Sequence, residues 1–219
     1  MAHGAGGAVM NDLIKRYVLE YLGGSGAEVP LEALDDAAVI NDVVLKSDSH
    51  AVKPLFFPGG DIGRLAVTGT VNDIAVLGAE PVALTSGFVL EEGLAIADFE
   101  RIVRSMGETC REAGVYVITG DTKVVEKGAL EGCVINTSGI GRRNQALEHN
   151  ISVVKKYRQQ FSSRWLLDSN LRPRDKIILS GSVGDHGLAV LSSREGYGFG
   201  SKIVSDVAPL NKVILRVLD

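Results

Sequence analysis

Residues 82–120, VALTSGFVLEEGLAIADFERIVRSMGETCREAGVYVITG, run through three patterns in succession. Val82 to Leu90 is apolar enough for a buried strand. Residues 97–113 then place Phe99, Ile102, Val103, Met106 and Cys110 on one face at helical spacing, with Asp98 near the start and Gly114 as the stop. Val115 to Thr119 is apolar again. After the segment Gly120-Asp121-Thr122-Lys123, which reads as a loop, Gly132 to Ile140 forms one more strand. Strand, helix and strand in alternation predict an α/β (α+β) fold, in which loops at strand ends carry the chemistry. The order of strands in the sheet does not follow from this pattern.

On the N-terminal side, Val9, Met10, Leu13, Ile14, Tyr17, Val18, Tyr21 and Leu22 recur at helical spacing until Gly23-Gly24 ends the run. Ala37 to Ile40 and Val43 to Leu45 bracket Asn41-Asp42, a tight hairpin turn. From Asp61 to Gly78, small and apolar residues predict a closely packed helix, and Pro81 separates it from the strand that follows. On the C-terminal side, residues 144–170 interrupt the plan. There Val154, Tyr157, Phe161 and Trp165 are spaced like the apolar stripe of a basic helix, which reads as a surface insertion. A strand from Lys176 to Leu179, a helix from about Leu188 and a last apolar segment ending at Asp219 complete the chain.

Composition narrows the class. The 219 residues are 45% hydrophobic and 5% aromatic with 26 glycines, as in a glycine-rich globular α/β protein. No run of eighteen apolar residues occurs, and MAHGAGGAVMND has neither the basic start nor the apolar core of a signal peptide, so the expectation is a cytoplasmic protein with no membrane or nucleic-acid partner. Cys110 and Cys133 lack metal-type spacing and read as buried thiols. The overall charge of −4 is uneven: residues 142–176 carry +6, leaving −10 on the rest.

Neither GxxxxGK[ST] nor a strand-linked GxGxxG is present, so a nucleotide would have to be held another way. The chain offers Asp36, Asp48, Asp73 and Asp121 instead, at strand ends and within the small-residue helix. Mg²⁺ takes oxygen ligands and is commonly shared between carboxylates and phosphates, so these four could seat metal-bridged ATP. His50 and His149 read as surface residues, and His186 equally as one that organises its loop or as one that touches substrate.

Four words occur in order: LDDAAVI (34–40), KSDSHAVKPLFFPGGDIGRLAVTGTVNDIAVLGAEPVAL (46–84), GDTKVV (120–125) and SGSVGDHGLAVLSSREG (180–196). Together they resemble the HypE family of hydrogenase-maturation carbamoyl dehydratases, in the superfamily that holds aminoimidazole ribonucleotide synthetase (PurM) and selenophosphate synthetase. The resemblance covers nearly all of the chain except residues 144–170. It implies a PurM-like ATP-binding and dimerisation domain over residues 1–143, the basic insertion at 144–170, and the start of a second α/β half-domain over 171–219.

It also implies an activity, the ATP-dependent conversion of a thiocarboxamide on a terminal cysteine to a thiocyanate, the source of hydrogenase cyanide ligands. Asp36, Asp48 and Asp73 would hold Mg²⁺ and phosphate. Asn72 and the glycine-rich segment with Gly4, Gly6 and Gly7 would join the nucleotide site, and Asp121 and Lys123 would act near the triphosphate. The implied partners are a second copy, a HypF-type carbamoyltransferase and a HypC/HypD-type scaffold. The family continues past SDVAPLNKVI to a Pro-Arg-x-Cys tail. The expectation is therefore ATP binding without a substrate cysteine on these residues, the alternative being a non-catalytic dimerising module in the same process.

Overall fold

The computed structural model of the chain describes residues 6–24, 26–196 and 203–219. An N-terminal helical segment comprises α1 (Gly7–Leu13), a π-helical stretch (Ile14–Leu19) and α2 (Glu20–Leu22). Strands β1 (Ala38–Ile40) and β2 (Val43–His50) follow, joined at Asn41 and Asp42, both in the left-handed region as a two-residue hairpin turn requires. A small pair, β3 (Phe56–Phe57) and β4 (Gly60–Asp61), leads into α3 (Ile62–Val76). Then come β5 (Glu80–Glu91), α4 (Ile96–Ala113), β6 (Tyr116–Val125), β7 (Cys133–Arg142), α5 (Gln145–Tyr157), α6 (Asp185–Glu195) and α7 (Asn211–Leu218).

The five long strands form one sheet in the order β1-β2-β7-β5-β6. β5 and β6 are parallel, linked through α4, and every other neighbouring pair is antiparallel. The α/β expectation holds, with the sheet mixed. Local sequence explains the helix ends. The Asp61 carboxylate accepts from the backbone N–H groups of Gly63 (2.8 Å) and Arg64 (3.0 Å), a cap worth about 1 kcal/mol. α4 stops at Gly114, whose φ of 80° only glycine adopts without strain.

Helices α3 and α4 cover one face of the sheet. Ile62, Val67 and Val71 of α3 pack with Ile102 and Met106 of α4 against Leu84 and Ile135 of the strands. Cys110 and Cys133 are buried here as expected, and burial pushes the Cys133 thiol up to about 11, which keeps it protonated and unreactive. A second apolar cluster joins Val29, Val39, Val44 and Ile74 to Leu147, Ile151, Phe161 and Trp165.

That second cluster corrects the reading of residues 144–170. The helix ends at Tyr157, which is exposed, while Phe161 and Trp165 lie beyond it and turn into the core, Trp165 with only 2% of its surface accessible. The buried helical positions are Leu147 and Ile151. Apolar burial of this kind is worth about 1.5–3 kcal/mol per large side chain, so this segment contributes to the stability of the sheet domain. Two further expectations change. Gly120 to Lys123 lie inside β6 and form no loop. Residues 176–179 form no strand: Ile177, Ile178 and Leu179 are exposed, and no described strand lies alongside to supply the ladder that a strand needs.

Candidate functional site

Strand alternation builds the site. Along β2, Val44 and His50 are buried and Lys46 and Asp48 half-buried, whereas Val43, Leu45, Ser47 and Ser49 are exposed. The first set therefore faces α3. Helix α3 is small enough there to let charged side chains settle: Gly69 lies under His50 and Asp48, where a Cβ would meet His50 Cε1 at 2.7 Å and Asp48 Oδ2 at 3.3 Å. One turn further on, Asp73 pairs with Lys46, Nζ to Oδ2 at 2.5 Å.

Asp36, in the loop before β1, completes the group. Its carboxyl is held above the usual range, first by burial and then by the negative charges of Asp73, Asp168 and Asp35. Asp35, Asp36 and Asp168 bring carboxylate oxygens within 4.8 Å of one another. Beside them a cleft of about 420 Å³ is lined by Asp36, Lys46 and Ser47 and by Asn11 and Ile14 of the N-terminal helical segment. Asp36, Asp48 and Asp73 with Lys46 leave the cluster short of positive charge. Hard oxygen donors in that deficit suit a divalent cation such as Mg²⁺.

The other expected residues lie elsewhere. Asp121 and Lys123 pair with Gly87 and Val89 of β5, and Gly87 in turn with Asn136 and, across β7, with Ser49 of β2. Directly paired residues share a face, so Asp121 and Lys123 are on the side of the sheet opposite α3 and three strands from β2, about 14 Å at strand spacing. Asn72 is held by the segment before α7. Its amide donates to the Ala208 carbonyl at 3.1 Å and accepts from Leu210 N–H at 2.8 Å, so it anchors the approach to α7. Gly7 begins α1 with Gly6 at its cap, and Gly4 lies outside the described residues.

His186 lies in the first turn of α6, with Nδ1 3.0 Å from Ser205 Oγ and its ring edge-on to Phe57. His50 corrects the surface reading. It is 7% exposed, and burial lowers its pKa against the opposing pull of Asp48 and Asp73. The missed signal was the period-two spacing of Lys46, Asp48 and His50, which puts all three on one face. Lys46 was missed for the same reason.

A mixed sheet backed by two helices, with carboxylates gathered where β2 crosses α3, defines a class. The model for AIR synthase related proteins, N-terminal domain, matches residues 34–143, and the chain belongs to that family. Within it, the chain's close relatives are HypE proteins. A putative hydrogenase expression/formation protein of Methanocaldococcus jannaschii is 47% identical across 99% of this chain and 61% of its own length. Carbamoyl dehydratase HypE of Azotobacter vinelandii is 44% identical across 100% of this chain and 59% of its own length.

Solved structures agree. That of a HypE–HypF complex superposes with a TM-score of 0.76 at 41% identity, covering 97% of this chain and 62% of that one. HypE in complex with ATP gives 0.69 at 42% identity, covering 99% and 59%. The chain thus spans about three fifths of the length of the relatives it matches.

Proposed function

We propose that this chain is the ATP-binding and dimerising part of a cytoplasmic carbamoyl dehydratase of hydrogenase maturation. The observation that carries the reading is the Lys46–Asp73 pair with Asp36 beside it and Asp48 seated over Gly69 one turn away, in a fold shared with a HypE that binds ATP. Mg²⁺ would be held by Asp36, Asp48 and Asp73 and would neutralise charge on the transferring phosphoryl group. Beside them, Lys46 pairs with Asp73 at 2.5 Å.

In the reaction, the carbamoyl oxygen of R–S–C(=O)NH₂ attacks the γ-phosphorus of ATP, releasing ADP, and loss of one N–H proton gives the phosphorylated imidate R–S–C(=NH)–OPO₃²⁻. Loss of phosphate and of the remaining N–H proton then leaves R–S–C≡N. The residues of this chain bind and orient the phosphates for that transfer.

The division into residues 1–143, 144–170 and 171–219 is supported at its last boundary by the exposed apolar run Ile177, Ile178, Leu179 and Val183, which suits a strand of a further half-domain. Homodimerisation is supported by β6, an edge strand exposing Tyr116, Ile118 and Val124. Asp121 and Lys123 sit on that strand across the sheet from the carboxylates, so they serve a nucleotide only from a second copy. The HypF-type partner follows the relative seen in complex with HypF, and the HypC/HypD-type scaffold follows from the maturation role. No helix among the described residues is long and apolar enough to cross a membrane.

Thermal melts with and without Mg-ATP test the reading. At 100 times Kd, ligand adds about 2.7 kcal/mol, which for a chain of this size raises Tm by roughly 5–10 °C. Asp73→Asn should remove most of that shift without unfolding the chain. A wild-type chain that Mg-ATP leaves unshifted at millimolar concentration, or a variant that keeps the full shift, rejects the proposed site.

A further inference from the structure

Beneath Asp48 lies a buried line of polar atoms that the nucleotide reading does not use. The Thr137 hydroxyl donates to the Ala66 carbonyl of α3 at 2.9 Å, and Thr70 Oγ1 lies 2.6 Å from Thr137 Oγ1. On the other side, His50 Nε2 is 3.4 Å from Thr137 Oγ1 and 3.7 Å from Asp48 Oδ2. Thr70 and Thr137 are wholly buried and His50 nearly so.

A hydroxyl has one proton to give. Thr137 has given its proton to Ala66, so it accepts from Thr70 and has only a lone pair left for His50. The Asp48 carboxylate likewise only accepts. Both atoms facing Nε2 are therefore acceptors, and Nε2 must carry the hydrogen.

We propose that His50, fixed as the Nε2–H tautomer by the Thr137–Thr70 pair and seated on Gly69, is the positioning residue that aims the Asp48 carboxylate at the cation site. The line places the imidazole 3.7 Å from Asp48 Oδ2 on β2 and, through Thr137 of β7, against the backbone of α3, the helix that carries Asp73. Gly69 is part of the device, because a methyl there would sit 2.7 Å from the imidazole. A metal-binding side chain needs such an outer partner to hold its orientation, and losing one typically weakens metal affinity about 10–100-fold. The cation role of Asp48 rests on the proposed function; the tautomer and the contact to Asp48 do not.

The test uses the full chain with selectively ¹⁵N-labelled histidine. Long-range proton–nitrogen spectra of the ligand-free protein should show His50 protonated at Nε2 and not at Nδ1, and Asp48→Asn should shift the Nε2 resonance while keeping that tautomer. An Nδ1–H tautomer, or an Nε2 resonance indifferent to Asp48→Asn, overturns the proposal whether or not nucleotide binds.

The second arm titrates Mg²⁺ at fixed ATP and reads the thermal shift. His50→Leu, which keeps the bulk and removes the donor, should raise the Mg²⁺ needed by about tenfold or more. His50→Gln, whose amide nitrogen reaches the place of Nε2, should recover most of that loss. Equal Mg²⁺ dependence in wild type and His50→Leu overturns the positioning role. A wild-type chain with no Mg-ATP response rejects the proposed function, and the positioning role with it, while the spectra still judge the contact.

Discussion

Strands β2 and β6 each carry a lysine and an aspartate two positions apart, Lys46 with Asp48 and Asp121 with Lys123, and the sheet disposes of the two pairs in opposite ways. β2 is flanked on both sides by other strands and backed by α3, so its pair is half-buried and Lys46 meets Asp73. β6 is the free edge of the sheet and its pair points into solvent on the other face. Chemistry-bearing residues in adjacent motifs come together only when strand parity and sheet position both agree. An edge strand, by contrast, offers its side chains to another molecule.

The largest effect separating the two strands is expected from a glycine on the exposed one. A Cβ at Gly120 would run into the backbone oxygen of Ser86 on β5, so Gly120→Ala must push β6 off its neighbour. The cost should be about 1–3 kcal/mol, a fall in Tm of several degrees. In Gly87→Ala the new methyl meets Asn136 at an ordinary 3.9 Å and should leave Tm within a degree or two of wild type or above it. Equal melting of the two variants would mean that β6 is not seated as closely as its register implies.

A smaller effect, opposite in sign, is expected at Asp36. Its folded-state pKa is raised, so the folded chain holds the proton more tightly than the unfolded one. The stability this gives is complete below the ordinary carboxylate pKa and is lost as pH rises through the folded value. Asp36→Asn should therefore raise the ligand-free Tm at neutral pH by roughly 1–3 °C and make no difference near pH 3. Differential scanning calorimetry across that range checks it, and a gain that persisted at low pH would point to packing in place of charge.

The smallest change belongs to β6 itself. Asp121→Asn and Lys123→Ala should move the stability of the ligand-free chain by less than about 0.5 kcal/mol. Denaturant midpoints measure this, and a drop of 2 kcal/mol or more would show that these side chains are structural within one chain.

How much of this was legible beforehand depended on range. The hairpin at Asn41-Asp42, the helix stop at Gly114 and the amphipathic face of α4 follow from local rules and were readable. Asp36, Asp48 and Asp73 were readable singly as carboxylates, and as one site only through the resemblance. Their company was not, because Lys46 matters only through Asp73, 27 residues on, and His50 only through Gly69 and Thr137, 19 and 87 residues on. Trp165 looked like part of a surface stripe because spacing says nothing of where a helix ends, and the chain leaves helical geometry at Arg158 before turning inward. Asn72, in the middle of a motif, is claimed by the backbone before α7, an interaction across 136 positions that no local pattern contains.

The connectivity of the sheet also sets an order in time. β5 and β6 pair across a single crossover helix, Ala83 beside Tyr116, whereas β2 and β7 must bring Val43 to Arg142. Closing the longer loop costs about 1 kcal/mol more in chain entropy, and contacts of greater sequence separation form more slowly. The β5-α4-β6 unit is thus placed to assemble early, with β2 added to β7 afterwards. Asp48 and His50 reach their neighbours only at that second stage, so the carboxylate cluster is completed only once β2 has joined the sheet.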